Sequence, residues 1–274
     1  MKKLTLILLS ICLLCAFKQK QLTWVAIGDS ITYLNDHKNE TQERLTRGYL
    51  SQVTEQLSNI RYINKGYNGW TSGGIANRID SLGLTKADIY SVFLGTNDWW
   101  QGRPIGKLDD YKNNTGNSTI YGSFRIIINK LKALNPQAKI VLITPMQRVD
   151  FVYLFDKRNN AHGSYKAKKE QTLEAVANAI VAIGKLENIP VSDLYHNKEM
   201  PMDRLVKFKR LKSAATGGYV DYPYPKFIDV PFNPATDEYP YPAEAADLTY
   251  DGLHPSDSGC EVIANSLVKI MRKF

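Results

Sequence analysis

Apolar residues follow two alternating rhythms along this chain. Short unbroken runs come first: "LTWVAIG" (Leu22 to Gly28), "RYIN" (Arg61 to Asn64), "ADIYSVFLG" (Ala87 to Gly95), "AKIVLIT" (Ala138 to Thr144) and "IPVSDL" (Ile189 to Leu194). Bounded by turn formers, they read as five buried strands. Between them the spacing is helical: Leu50, Val53 and Leu57; Phe124, Ile127, Ile128, Leu131 and Leu134; Leu173, Val176, Ile180, Ile183 and Leu186; and finally Cys260, Ile263, Leu267 and Ile270. Strands buried on both faces and alternating with helices predict an α/β fold, a three-layer α/β/α sandwich around a five-stranded parallel sheet.

Two segments break the rhythm. Lys2 and Lys3 precede an uncharged apolar stretch from Leu4 to Phe17. This reads as a bacterial signal peptide cleaved after Ala16, which directs the protein to the periplasm, the cell surface or the medium. Cys15 within the stretch offers a lipid anchor as a variant of that route. No run reaches the roughly 20 apolar residues that cross a bilayer, so no spanning segment is expected. The second segment, Asn197 to Asp247, holds seven of the chain's twelve prolines. Its opening piece, "MDRLVKFKRLK", is basic and amphipathic and reads as the charged face of a surface helix, with an acidic polysaccharide as the alternative reason for its charge. The Pro/Tyr-rich remainder fits neither a regular helix nor a central strand. With no repeat and no linker, residues 22–274 read as a single domain carrying an insertion at 197–247.

Composition narrows the partners. Removing Lys2 and Lys3 lowers the net charge from +8 to +6, without the dense Lys/Arg blocks of nucleic-acid binders. Cys12 and Cys15 lie in the leader, so Cys260 alone remains, and it occupies an apolar helical position suited to a core. No disulfide framework and no convincing metal spacing is present, and chemistry without a cofactor is expected.

In a parallel sheet every strand ends on the same edge, so residues after different strands converge there. "GDSIT" with Ser30 follows the first run, "NKGYNGWTSGG" with Gly69 the second, "GTNDWW" with Asn97 the third, and "DGLHP" with Asp251 and His254 the fifth and its long loop. A serine hydroxyl needs a base to take its proton, and that base needs a group to fix its tautomer and stabilise its cation. His254 and Asp251, three residues apart, suit these roles. The backbone N–H groups of Ser30 and Gly69 and the Asn97 side-chain amide suit a developing oxyanion.

Together, Ser30 in "GDS", Gly69 in "NKGYNG", Asn97 in "GTND" and His254 in "DGLHP" resemble the four blocks of the SGNH hydrolases, also called the GDSL esterase and lipase family, in the family's order. The resemblance implies a flavodoxin-like fold, Ser30 as nucleophile, His254 as base, Asp251 as its orienting acid, and an oxyanion hole of Ser30, Gly69 and Asn97. "GDSIT" lacks the second glycine of the G-x-S-x-G elbow, which disfavours the common α/β-hydrolase fold. Two stretches have no counterpart in the family core and are expected to shape the substrate site: "YLNDHKNETQERLTR" (Tyr33 to Arg47) and the Pro/Tyr segment.

Rival readings accompany these residues. Asp193 and His196 repeat the three-residue spacing, although no proline and final helix follow them. Ser30 alone suits a helix N-cap, and Gly69 a tight turn. Asp29 and Asp98 read as loop braces, and His37 and His162 as exposed and idle. Trp70, Trp99 and Trp100 adjoin the oxyanion residues and read either as packing beneath the loops or as a flat substrate-binding wall. The sequence thus points to an exported serine esterase acting on a small-molecule or polysaccharide ester, with acetylated carbohydrate preferred. A lipase, thioesterase or lysophospholipase is the alternative within that chemistry, and a non-catalytic glycan binder the alternative outside it.

Overall fold

The computed structural model describes residues 20–274. The leader expected at residues 1–16 lies outside the described residues. In chain order the strands are β1 (Leu22–Gly28), β2 (Ile60–Gly66), β3 (Ile89–Phe93), β4 (Lys139–Ile143), β5 (Phe151–Val152), β6 (Asn160–Ala161), β7 (Val191–Ser192), β8 (Lys209–Lys212) and β9 (Tyr219–Tyr222). Five of them form the central sheet in the order β2-β1-β3-β4-β7. Every pairing in it is parallel, with Trp24 opposite both Tyr62 and Ile89.

Strand alternation explains the layers. Trp24 and Ala26 of β1 face one side, where they join Leu50 and Val53 of the helix Tyr49–Gln56 and Ile263 and Leu267 of the helix Asp257–Met271. Val25 and Ile27 face the other, against Ile127 and Leu131 of the helix Ile120–Leu134 and Ile180 and Ile183 of the helix Leu173–Glu187. Each face therefore owns a separate apolar core, and truncating one such fully buried isoleucine to alanine costs about 2–5 kcal/mol. Cys260 belongs to the first core. Thr119, Thr172 and Ser256 each accept a hydrogen bond from the amide three residues on, which starts the three longest helices where the strand-to-helix loops end.

The order of strands positions the site. From β1 the chain crosses to β2 on one side, then returns past β1 to β3 on the other. The direction reverses between β1 and β3, and the crevice beyond the carboxyl ends of such a pair is where ligands bind in open α/β sheets. Ser30 and Asn97 stand there, one past each strand.

The basic piece expected on a surface helix is not helical. Met202–Arg204 makes a single 3₁₀ turn, and Lys209–Lys212 is one arm of the antiparallel hairpin β8-β9. Period two replaces period 3.6: Lys209 and Leu211 point inward while Arg210 and Lys212 point outward. Burial of Lys209 is tolerable because its ammonium meets Asp150 Oδ2 at 2.7 Å.

Candidate active site

Ser30 opens the turn after β1. Asp29, not Ser30, caps the short helix Ser30–Tyr33, accepting from the amide of Ile31 at 3.0 Å. The serine hydroxyl is left to donate to His254 Nε2 at 2.9 Å. On the far side of the ring, His254 Nδ1 meets Asp251 Oδ2 at 2.7 Å. A carboxylate only accepts, so Nδ1 carries the proton and Nε2 is free to receive the one on Ser30. The other oxygen of Asp251 accepts from the amides of Leu253 at 3.0 Å and His254 at 2.7 Å. This turn over its own backbone fixes the carboxylate before the imidazole is considered.

Packing fixes the ring as well. Tyr250 stacks on His254 with centroids 5.9 Å apart, and Phe151 meets it edge-on at 5.5 Å. Gly252 lies at φ +88°, and a Cβ there would sit 2.0 Å from the carbonyl oxygen of Asp150. Only glycine lets the acid loop pass so close to the chain after β4. Two backbone bonds join the segments, Val149 N–H to the Gly252 carbonyl at 3.1 Å and Val152 N–H to the Asp251 carbonyl at 3.2 Å.

Gly69 and Asn97 flank Ser30. Gly69 adopts φ +73° with open space where a side chain would be, and neither its amide nor that of Ser30 donates to a backbone carbonyl among the described residues. Asn97 Nδ2 donates to the Trp70 carbonyl at 3.2 Å and approaches Asp29 Oδ2 at 3.4 Å. Asp98 braces this floor, taking the Ser72 amide at 2.8 Å and the Ser72 hydroxyl at 2.6 Å, with Arg103 Nε 3.2 Å away. It thereby ties the loop after β2 to the loop after β3. Burial pushes the carboxyl of Asp98 up despite these donors. Burial likewise pushes Asp29 up to about 7, opposed by the Ile31 amide and by His254.

A cleft of about 470 Å³ opens over these groups. Its wall is the segment after β4, a stretch the sequence reading passed over: Arg148, Phe151, Tyr153, Leu154, Asn159 and Ala161 all line it. Position was the available signal, because this loop leaves the same sheet edge as the others. Leu34 and Glu40, from the stretch Tyr33 to Arg47, also line the cleft, as that segment was expected to do. No residue of 197–247 does. That expectation is corrected: the Pro/Tyr segment supports the wall from behind. Tyr239 donates to the Val152 carbonyl at 2.9 Å, Tyr241 donates to the Asp150 carbonyl, and Lys209 pairs with Asp150.

The tryptophans divide. Trp100 lines the cleft. Trp99 is 0% exposed and donates its indole N–H to the Gln171 carbonyl at 3.0 Å, so it packs beneath the loop and presents no wall. Adjacent helical positions point about 100° apart, which separates the two. Trp70 stacks on Tyr67 at 4.5 Å with Arg78 over its ring, and it stands outside the cleft lining. His162 is not idle: its ring packs edge-on against Trp99 and Trp100. His37 stacks on Tyr33 at 3.7 Å. His196 is bound to Asp193 at 2.8 Å on the surface, away from the cleft. Among the described residues, no group of three or more His, Cys, Asp or Glu side chains is placed to hold a metal ion, and no helix is long and apolar enough to cross a membrane.

The fold is a doubly wound α/β sheet that brings Ser30, His254 and Asp251 into one hydrogen-bonded chain at the β1/β3 switch. The chain belongs to the GDSL-like lipase/acylhydrolase family, whose profile matches residues 26–262. A solved structure described as a possible lipase from Chitinophaga pinensis DSM 2588 is 64% identical, superposes with a TM-score of 0.91, and aligns over 92% of this chain and 98% of its own. A protein from Lactobacillus plantarum is similar in fold at 21% identity and TM-score 0.61, over 93% and 98% of the two chains. An acetyl xylan esterase shares the fold at 17% identity and TM-score 0.54, over 91% and 99%. Comparison with curated protein sequences gave no match.

Proposed function

We propose that this protein is an exported serine esterase that removes acetyl groups from carbohydrate through an acyl-enzyme. The observation that carries the reading is the continuous chain Ser30 Oγ, His254 and Asp251, with links of 2.9 and 2.7 Å, beside the unengaged amides of Ser30 and Gly69. Ser30 Oγ attacks the ester carbonyl as His254 Nε2 takes its proton, and Asp251 stabilises the resulting imidazolium. The carbonyl oxygen becomes an oxyanion that receives the N–H groups of Ser30 and Gly69 and the amide of Asn97. Collapse breaks the ester C–O bond, and His254 returns the proton to the leaving alcohol. Water then enters by the same steps in reverse, so that the acid departs and Ser30 is restored.

Preference for sugar rests on the cleft, where Trp100 and Tyr153 stand beside polar Asn68, Gln101 and Asn159. Aromatic faces with interspersed amides suit a ring bearing hydroxyls on its edge and C–H groups on its faces. The fold shared with an acetyl xylan esterase is consistent with that reading. Export rests on Lys2, Lys3 and the apolar run after them. Leu34, Phe151, Leu154 and Leu253 favour a second reading, in which the cleft takes a longer acyl chain.

Acetate release from a panel of acetylated glycans, set beside turnover of p-nitrophenyl acetate and long-chain p-nitrophenyl esters, separates the readings. Faster cleavage of the long-chain esters would favour a lipase. Glycan binding without hydrolysis of any ester, and without fluorophosphonate labelling of Ser30, would establish a binder.

A further inference from the structure

Arg148 is the one Lys or Arg side chain among the residues lining the cleft, and it is only 2% exposed. Its guanidinium lies 5.2 Å from the ring centroids of both Trp99 and Trp100, which hold it by cation–π attraction. Of its five N–H donors one, on Nη2, has a partner, the His162 carbonyl at 2.9 Å. Nε is buried with none. Among the described residues no carboxylate comes within 4.0 Å of it. The two acids whose charge bears on it are hydrogen-bonded elsewhere: Asp150 to Lys209, Tyr165 and the Gly163 amide, and Asp251 to His254 and the Leu253 amide. Glu40, also on the cleft, accepts from Tyr33. Burial lowers Arg148 to about 10, which leaves it cationic at neutral pH.

A buried cation with idle donors is unfavourable unless an occupant completes it. Guanidinium geometry selects a planar acceptor able to take two parallel N–H bonds, and a carboxylate fits best. The geometry points to Arg148 as a specificity-determining residue that binds a carboxylate on the substrate, so the preferred esters are acylated acidic sugars such as uronic acids. This inference rests on the esterase reading.

Its test compares an O-acetylated uronic acid glycoside with the matching O-acetylated neutral glycoside. The wild type should show at least about tenfold higher kcat/KM on the acidic ester, chiefly through KM, and Arg148→Met should bring the ratio close to one while Arg148→Lys retains part of it. On the wild type alone, methyl glucuronide should inhibit p-nitrophenyl acetate hydrolysis competitively at lower concentration than methyl glucoside, a readout independent of how the variants fold. Hydrolysis of p-nitrophenyl acetate with no acidic preference, or an unchanged ratio in Arg148→Met, would overturn the inference and leave the esterase reading standing. No turnover of any ester by the wild type would overturn both.

Discussion

Two Asp-x-x-His pairs stand beyond strands of the same sheet, and their internal geometry is nearly identical. Asp251 meets His254 Nδ1 at 2.7 Å, and Asp193 meets His196 Nδ1 at 2.8 Å. Surroundings separate them. The His254 side chain is 9% exposed, wedged between Tyr250 and Phe151, and its Nε2 faces a serine hydroxyl. The His196 side chain is 42% exposed, and its Nε2 faces Glu174 at 3.6 Å. A local motif builds a dyad; burial and a third partner supplied from beyond a distant strand give one of the two the arrangement that the proposed mechanism needs. Low dielectric strengthens the first pair, whereas water screens the second.

The comparison breaks most clearly on the imidazoles. His254→Ala should lower kcat/KM on p-nitrophenyl acetate by about 10⁴-fold or more, as removal of a triad member does, with His196→Ala measured alongside. Loss of equal size in both variants would refute the difference drawn here. Asn97→Ala should cost about 10²- to 10³-fold in kcat by removing one oxyanion donor, with a smaller change in KM.

Asp29 sharpens the electrostatic side. Its carboxyl is raised from 3.8 to about 7 in the folded protein, so the native state holds a proton that the unfolded chain releases near pH 4. Its contribution to stability is therefore full below pH 4 and is lost as pH rises towards 7, a change on the order of a few kcal/mol. Urea denaturation of Asp29→Asn across that window should show a shallower decline than the wild type. The smallest effect belongs to His196. Its pKa is raised by the bond to Asp193, so the pair stabilises the fold at acid pH and the contribution fades as pH rises through the elevated value. Solvent screening holds it below about 1 kcal/mol, and His196→Ala should leave esterase kinetics within about twofold of the wild type.

The frame was legible because its determinants are local. Uninterrupted runs such as "LTWVAIG" become strands buried on both faces, and the 3.6-residue spacing from Phe124 to Leu134 becomes one face of a helix. The four motif blocks were legible because a parallel sheet gathers strand ends whatever their separation in sequence. Features set by tertiary contact were not. Nothing in "RVDFVY" announces that Arg148 and Phe151 wall the cleft, since its residues obey no clear period. Lys209 looked like surface charge because its inward position depends on Asp150, about sixty residues earlier in the chain. Trp99 and Trp100 carry identical chemistry, and the turn of a single helical step decides which one meets solvent.

The shared backbone bonds between residues 149–152 and 251–252 dictate how this enzyme can be re-engineered. A graft that replaces the whole wall would break the bonds that hold the loop of Asp251 and His254 in place. Libraries confined to the tip between β5 and β6, from Tyr153 to Asn159, leave that seam intact and give the better starting point for changing what the cleft accepts.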